Sequence, residues 1–206
     1  MDSKILDRAL KAIEEVYNES MYGKDDLYRM KDIVHSVDIN HWKSKQWLAE
    51  KIKEIYGPYD DGHTYIVGGW YGMMAYQIRK QWPNISMNIT SADMDPEAKE
   101  IAWMIFHGYD LQFETIDIKD KTDLSEYSII INTSCEHMEQ KDLLNIIKNK
   151  DKNTWICFQT NDYDELNSHT NCFRSAEEFA DSLPIRKAYV GTLNLNDFNR
   201  FMVIGR

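Results

Sequence analysis

Cysteine is scarce in this chain of 206 residues: Cys135, Cys157 and Cys172 are widely spaced and odd in number. No Cys-x-x-Cys pair and no His-x-x-x-His pair occurs. The spacing of a structural zinc site is therefore missing, and no metal is expected. A reducing, cytoplasmic compartment is the expectation. No apolar run approaches the roughly 18 residues of a membrane span. The N-terminus, Met1-Asp2-Ser3-Lys4, lacks the basic flank and apolar stretch of a secretory signal. Basic charge is also short: 24 Lys and Arg face 34 Asp and Glu, a net charge of −10. Phosphate backbones are gripped by clustered Lys and Arg, so nucleic acid is disfavoured as a partner. The longest basic cluster, Lys148 to Lys152, is interrupted by Asn149 and Asp151 and reads as a solvated helix end. No internal repeat, low-complexity segment or long linker is apparent.

What is present is ordinary for a globular protein: 43 % hydrophobic and 28 % charged residues. Residues 1 to about 20 read as an amphipathic helix, with Ile5, Leu6, Leu10, Ile13 and Val16 at helical spacing. Residues 21 to 41 are mixed in charge and aromatics. A second helix opens at Ser44-Lys45-Gln46-Trp47, buries Trp47, Leu48, Ile52 and Ile55 as one stripe, and stops at Gly57-Pro58. From Thr64 the pattern becomes regular. Strands are expected at 64–67, 85–91, 111–116, 127–132 and 154–159, with helices at 71–81, 96–107 and 138–149. This alternation predicts a parallel sheet with helices on both faces. Ser175 to Ser182 reads as a further helix, with Ser175 and Glu178 as a capping box. The end differs. Ile185 to Val190 and Arg200 to Ile204 are strands joined by a polar loop, which predicts an antiparallel hairpin at a sheet edge. The expected fold is thus α/β: a doubly wound, mostly parallel, seven-stranded sheet with a C-terminal antiparallel hairpin. Residues 1–60 are a helical extension or lid and residues 61–206 the sheet domain.

The chemistry concentrates at strand ends. Thr64-Tyr65-Ile66-Val67 leads into the turn Gly68-Gly69-Trp70-Tyr71-Gly72 and then a helix. An acid, Asp93, stands about 20 residues further on, at the tip of the next strand. Glycine lets the backbone approach a ligand, and a carboxylate accepts from two vicinal ribose hydroxyls. This is the layout of a nucleotide pocket. Pro96 suits the first turn of the next helix, and Asp95 is a candidate N-cap.

This arrangement over roughly residues 60 to 206 resembles the class I, Rossmann-like family of S-adenosylmethionine-dependent methyltransferases. That family's seventh strand is antiparallel and inserted between the fifth and sixth, and Phe201-Met202-Val203-Ile204-Gly205-Arg206 is similar to it. Gly68 and Gly72 match the outer glycines of the family's first motif, with Trp70 in the middle place. Ile66 stands where the family usually carries an acid. Ala92-Asp93-Met94-Asp95-Pro96-Glu97-Ala98 resembles the second motif. The resemblance implies S-adenosylmethionine as cofactor, held by Gly68, Gly69, Trp70, Tyr71, Gly72, Asp93, Met94, Asp117 and Asn132, with Asp93 on the ribose and Asp117 on the adenine amino group.

The apolar strand Ile129-Ile130-Ile131 ends abruptly in Asn132-Thr133-Ser134-Cys135-Glu136-His137. Ligands of open α/β sheets bind at such carboxyl ends, so Asn132, Glu136 and His137 are the catalytic candidates. The alternative is that Thr133 or Ser134 caps a helix starting near His137, with Glu136 at its positive end. Cys135 near a helix start is a lesser candidate nucleophile. The six histidines look scattered, as surface or packing residues. Methyl transfer from a sulfonium needs alignment and water exclusion rather than a metal. The acceptor expected is a small molecule or a protein. A transferase of the same fold that moves an aminopropyl or aminocarboxypropyl group competes with this reading, as do a non-catalytic S-adenosylmethionine-binding protein and an NAD-linked dehydrogenase. The terminal hairpin and Trp70 count against the last.

Overall fold

The structure, a computed structural model, describes residues 2–19, 24–57, 62–83 and 87–206. Seven strands form one sheet: β1 (His63–Val67), β2 (Asn88–Asp93), β3 (Gln112–Thr115), β4 (Ile129–Asn132), β5 (Trp155–Asn161), β6 (Lys187–Asn194) and β7 (Asn199–Gly205). Their order is β3-β2-β1-β4-β5-β7-β6. Every pairing from β3 through β5 is parallel, and β7 is antiparallel to both β5 and β6. The expected doubly wound sheet and closing hairpin are therefore present, with β7 between β5 and β6.

Strand alternation divides the core. Tyr65, Val67, Ile130, Phe158, Phe201 and Val203 face one layer, which holds α6 (Gln140–Asn149) and α7 (Ala176–Asp181). Ile66, Ile129, Ile131, Met202 and Ile204 face the other, packing on Leu48, Ala49 and Ile52 of α3 (Ile39–Tyr56) and Met74, Ala75 and Ile78 of α4 (Met73–Gln81). A third cluster joins α1 (Ser3–Glu19), α2 (Lys24–Ser36) and α5 (Pro96–Phe106) through Ile5, Ile33, Tyr71, Ile101 and Phe106. Ile66, in the place of the resembled family's acid, is fully buried among these apolar neighbours. An unpaired carboxylate there would be costly.

Several local expectations are met and several are shifted. Asp95 caps α5, accepting from the Glu97 N–H at 3.0 Å, with Pro96 following. Ser175 accepts from the Glu178 N–H at 3.1 Å, but the Glu178 carboxylate accepts from the Arg174 N–H rather than from the Ser175 N–H. Residues 24–36 form α2, where the sequence pattern showed no helix, and α3 begins five residues before Ser44, with Asp38 as its cap. β2 runs to Asp93, later than expected, and residues 85 and 86 of the expected strand, like Pro58, lie outside the described residues. No helix starts at His137. Residues Cys135–His137 make one 3-10 turn, Ser134 provides no side-chain cap, and α6 begins at Gln140. Among the described residues no helix is long and apolar enough to cross a membrane.

Candidate functional site

Strand order reverses between β1 and β4, and the carboxyl ends of β1, β2, β4 and β5 open there on a cavity of about 1380 Å³. This is where an open α/β sheet places its ligand. Residues 32–45 of α2 and α3 wall one side, and the loop after β5 walls another. Nine carboxylates line the cavity against the basic side chains Lys45, Lys119 and Arg200, so its field favours a cationic ligand.

One end is built by the glycine turn. Gly68 has φ +61°, and a Cβ there would meet no atom of the described residues within 4 Å, so its backbone is bare to the cavity. Gly69 is fixed by contact instead: a Cβ there would lie 1.9 Å from Ser91 Oγ. The Gly69 N–H donates to Ala92 O at 2.9 Å, and the Gly72 N–H returns to Gly69 O at 2.9 Å. Between them Trp70 sits at φ +49°, a left-handed conformation unusual for a large side chain. Its N–H donates to Asp93 Oδ2 at 2.8 Å, while Asp93 Oδ1 accepts from the Asp95 N–H at 3.1 Å. A carboxylate has about four acceptor sites. Asp93, half-buried at the cavity rim, so retains acceptor capacity for hydroxyls. Met94 beside it exposes 70 % of its surface at the same rim, an apolar surface suited to covering a flat base.

The other end is a buried polar network. Arg200 Nη1 donates to Glu136 Oε1 at 2.8 Å, and Asn161 Nδ2 donates to the same oxygen at 2.9 Å. Glu136 Oε2 and Arg200 Nε have no hydrogen-bond partner among the described residues. Lys45 on α3 is buried beside this pair, and its ammonium makes no hydrogen bond or ion pair among the described residues. Burial, and then the Arg200 charge, pull its pKa down to about 8, against the opposing pull of Glu136 and Asp38. Ser44 and Gln159 exchange two hydrogen bonds next to it, which pins α3 to β5. Asp38 faces burial, which would raise its pKa, yet the His41 ring and backbone N–H hold it at about 2. Burial and the Lys45 charge lower the His41 pKa, so a neutral ring donates Nδ1–H to Asp38 at 3.0 Å.

The cavity brings together Gly68, Gly69, Trp70, Asp93, Met94, Asp117, Asn132, Glu136 and His137. Tyr71 and Gly72 do not line it. Tyr71 is buried under α2, where Arg29 donates to its hydroxyl at 3.1 Å, and Gly72 backs onto Phe113. Asp117 reaches the cavity while capping a short 3-10 turn through the Lys119 N–H. Asn132 closes its own loop, accepting from the Ser134 N–H and donating to Met138 Sδ, both at 2.7 Å. Cys135 is fully buried, and desolvation pushes its pKa well up, which leaves no thiolate nucleophile. Four of the six histidines, His35, His41, His137 and His169, converge on the cavity, which corrects the scattered reading. Sequence reasoning missed Lys45, Asn161, His169 and Arg200. Only the polar ends of β5 and β7 hinted at two of them.

No protein-family model matches the chain, and no curated protein matches it. Solved structures do. The E81Q mutant of MtNAS in complex with S-adenosylmethionine matches at TM-score 0.60 and 14 % identity, over 98 % of this chain and 72 % of that one. The same protein in complex with MTA and tNA matches at TM-score 0.59 and 14 % identity, over 99 % of this chain and 70 % of that one. The mitomycin 7-O-methyltransferase MmcR matches at TM-score 0.60 and 15 % identity, over 94 % of this chain and 60 % of its own. The CurJ carbon methyltransferase matches at TM-score 0.56 and 13 % identity, over 78 % and 54 %. The chain thus spans little more than half the length of the two methyltransferases. Strand order, the antiparallel β7 and these likenesses show that the chain has the class I, Rossmann-like fold of S-adenosylmethionine-dependent methyltransferases.

Proposed function

We propose that this protein binds S-adenosylmethionine and transfers its methyl group to a small-molecule acceptor. The observation that carries the proposal is Asp93, a carboxylate at the tip of β2 that borders the cavity while its N–H partners lock the glycine turn beside it. In this reading the ribose hydroxyls bond Asp93 and Met94 covers the adenine. Asp117 approaches the base edge, and the bare backbone at Gly68 and Gly69 admits the methionine end. The sulfonium and ammonium of the cofactor suit the carboxylate-rich lining. Structures with the same fold that hold S-adenosylmethionine support it.

The acceptor would enter between α3 and the loop after β5. The transfer forms a bond from the acceptor heteroatom to the methyl carbon, breaks the carbon–sulfur bond and leaves a neutral thioether. Alignment and water exclusion supply much of the rate. The acceptor proton would pass to Lys45. A buried amine with a pKa near 8 is partly neutral at physiological pH and suited to act as a base. Asn132, Glu136 and His137 border the same end. A cavity with carboxylate walls fits a small acceptor better than an extended acidic polymer.

A second reading, aminocarboxypropyl transfer, is favoured by one observation: MtNAS, which matches 99 % of this chain, is solved in complex with MTA, the thioether such a transfer leaves. Mass analysis of the cofactor product after incubation with amine and hydroxyl acceptors decides. S-adenosylhomocysteine supports methyl transfer, methylthioadenosine supports the second reading, and unchanged cofactor with every acceptor contradicts both.

A further inference from the structure

We propose that Glu136, His137 and His169 form a binding site for a divalent first-row transition cation at the acceptor end of the cavity. One ligand atom from each residue lies within 4.8 Å of the other two. The residues come from two separate segments, the turn after β4 and the loop after β5. Backbone bonds hold those segments together: the Thr170 and Asn171 N–H groups donate to Glu136 O at 2.8 and 3.1 Å, while the His169 N–H donates to Leu166 O within its own loop. The site is therefore held together before any ligand arrives.

Each ring has one nitrogen engaged by a backbone carbonyl. His137 Nδ1 is 3.2 Å from Ser168 O, and His169 Nδ1 contacts Tyr163 O. A carbonyl only accepts, so each Nδ1 carries the proton and each Nε2 carries the lone pair. An imidazole whose far nitrogen is tied to a backbone carbonyl is how proteins fix a metal-binding histidine. The third donor supplies an independent observation. Glu136 is 3 % exposed, its Oε1 takes both Arg200 and Asn161, and its Oε2 has no hydrogen-bond partner among the described residues. A buried carboxylate oxygen is costly to leave unpaired, and a cation would satisfy it.

Two imidazoles and one carboxylate suit zinc, iron(II), cobalt(II) or manganese(II), with coordination positions left open. Bonds of roughly 2.0–2.2 Å set ligand atoms about 3.3 Å apart around a tetrahedral ion. The three ligand atoms, now within 4.8 Å of one another, would have to draw in to that spacing around the ion. Arg200 stands on the Oε1 side, and the surplus of carboxylates in the lining offsets its charge. All three residues line the cavity, where an acceptor oxygen or nitrogen would coordinate. Cation binding goes beyond the methyl-transfer reading and does not depend on it.

The test is calorimetric titration of Zn²⁺ into metal-free protein, paired with Co²⁺ absorption in the visible. The proposal expects one equivalent bound by wild type and by His107→Ala, an exposed residue outside the cavity. His169→Ala and His137→Ala should each bind at least tenfold more weakly and lose the cobalt bands. No Zn²⁺ binding by wild type, or equal binding by both histidine variants, overturns it. Titrating S-adenosylmethionine into the same samples separates this outcome from failure of the transfer reading.

Discussion

The backbone N–H of Trp70 donates to Asp93 Oδ2 at 2.8 Å, across 23 residues of chain. The bond joins the glycine turn after β1 to the tip of β2. It also holds Trp70 in a left-handed conformation, which costs an L-residue roughly 1–2 kcal/mol. Stacking of Trp70 on Tyr71, with ring centroids 4.8 Å apart, adds a second restraint. The residue proposed to hold the ribose is thus also the residue that shapes the turn.

The two glycines of that turn should fail for different reasons. Gly69→Ala forces a Cβ against Ser91 Oγ and should cost about 1–3 kcal/mol in chemical denaturation. Adding Ser91→Ala should recover at least half of the loss. Gly68→Ala meets no atom within 4 Å and carries only the strain of φ +61°, roughly 1 kcal/mol. Ser91→Ala should do nothing for Gly68→Ala.

Removing one member of the buried ion pair should hurt more than removing both. Arg200→Met leaves Glu136 charged, 3 % exposed and without its cation, which should cost about 3–5 kcal/mol. Adding Glu136→Gln removes the stranded charge, and the double variant should be more stable than Arg200→Met alone. Denaturation curves of the three proteins check this.

Lys45 should set two pH dependences. Its pKa falls from 10.5 to about 8 on folding. Below pH 8 both states are protonated and the folded state carries the buried ammonium. Between pH 8 and 10.5 the unfolded state binds more protons, so stability from this group rises with pH. Lys45→Met should therefore be more stable than wild type at pH 7, by a margin that shrinks as pH approaches 10. In catalysis, kcat/KM should rise with pH until about 8 in wild type and lose that limb in Lys45→Met.

The sheet was legible because its strands obey simple rules. Ile129-Ile130-Ile131 is buried on both faces, and Phe201 to Ile204 alternates between the two layers. Asp93 was legible because a strand tip followed by Asp95-Pro96 marks a helix start. Helix α2 was not, because Leu27 and Val34 are about half exposed and Ile33 is the fully buried apolar residue among those whose side chains are described. Its pattern has no continuous stripe. β2 runs on through Ala92 to Asp93, beyond the expected end, because the sheet continues through the buried Ala92 to a polar tip. The network of Lys45, Glu136 and Arg200 was invisible for a different reason. Glu136 and Arg200 are 64 residues apart, and only the insertion of β7 beside β5 brings them together. The pairing of His169 with Glu136 and His137 likewise follows from loop bonds that leave no spacing signature.

The most direct test of the central claim is calorimetric titration of S-adenosylmethionine and S-adenosylhomocysteine into wild type and Asp93→Ala, with folding checked by circular dichroism. The account predicts binding at micromolar concentration by wild type and at least tenfold weaker binding by a folded Asp93→Ala. A folded wild type that binds neither ligand, or an Asp93→Ala variant that binds both as wild type does, would contradict it.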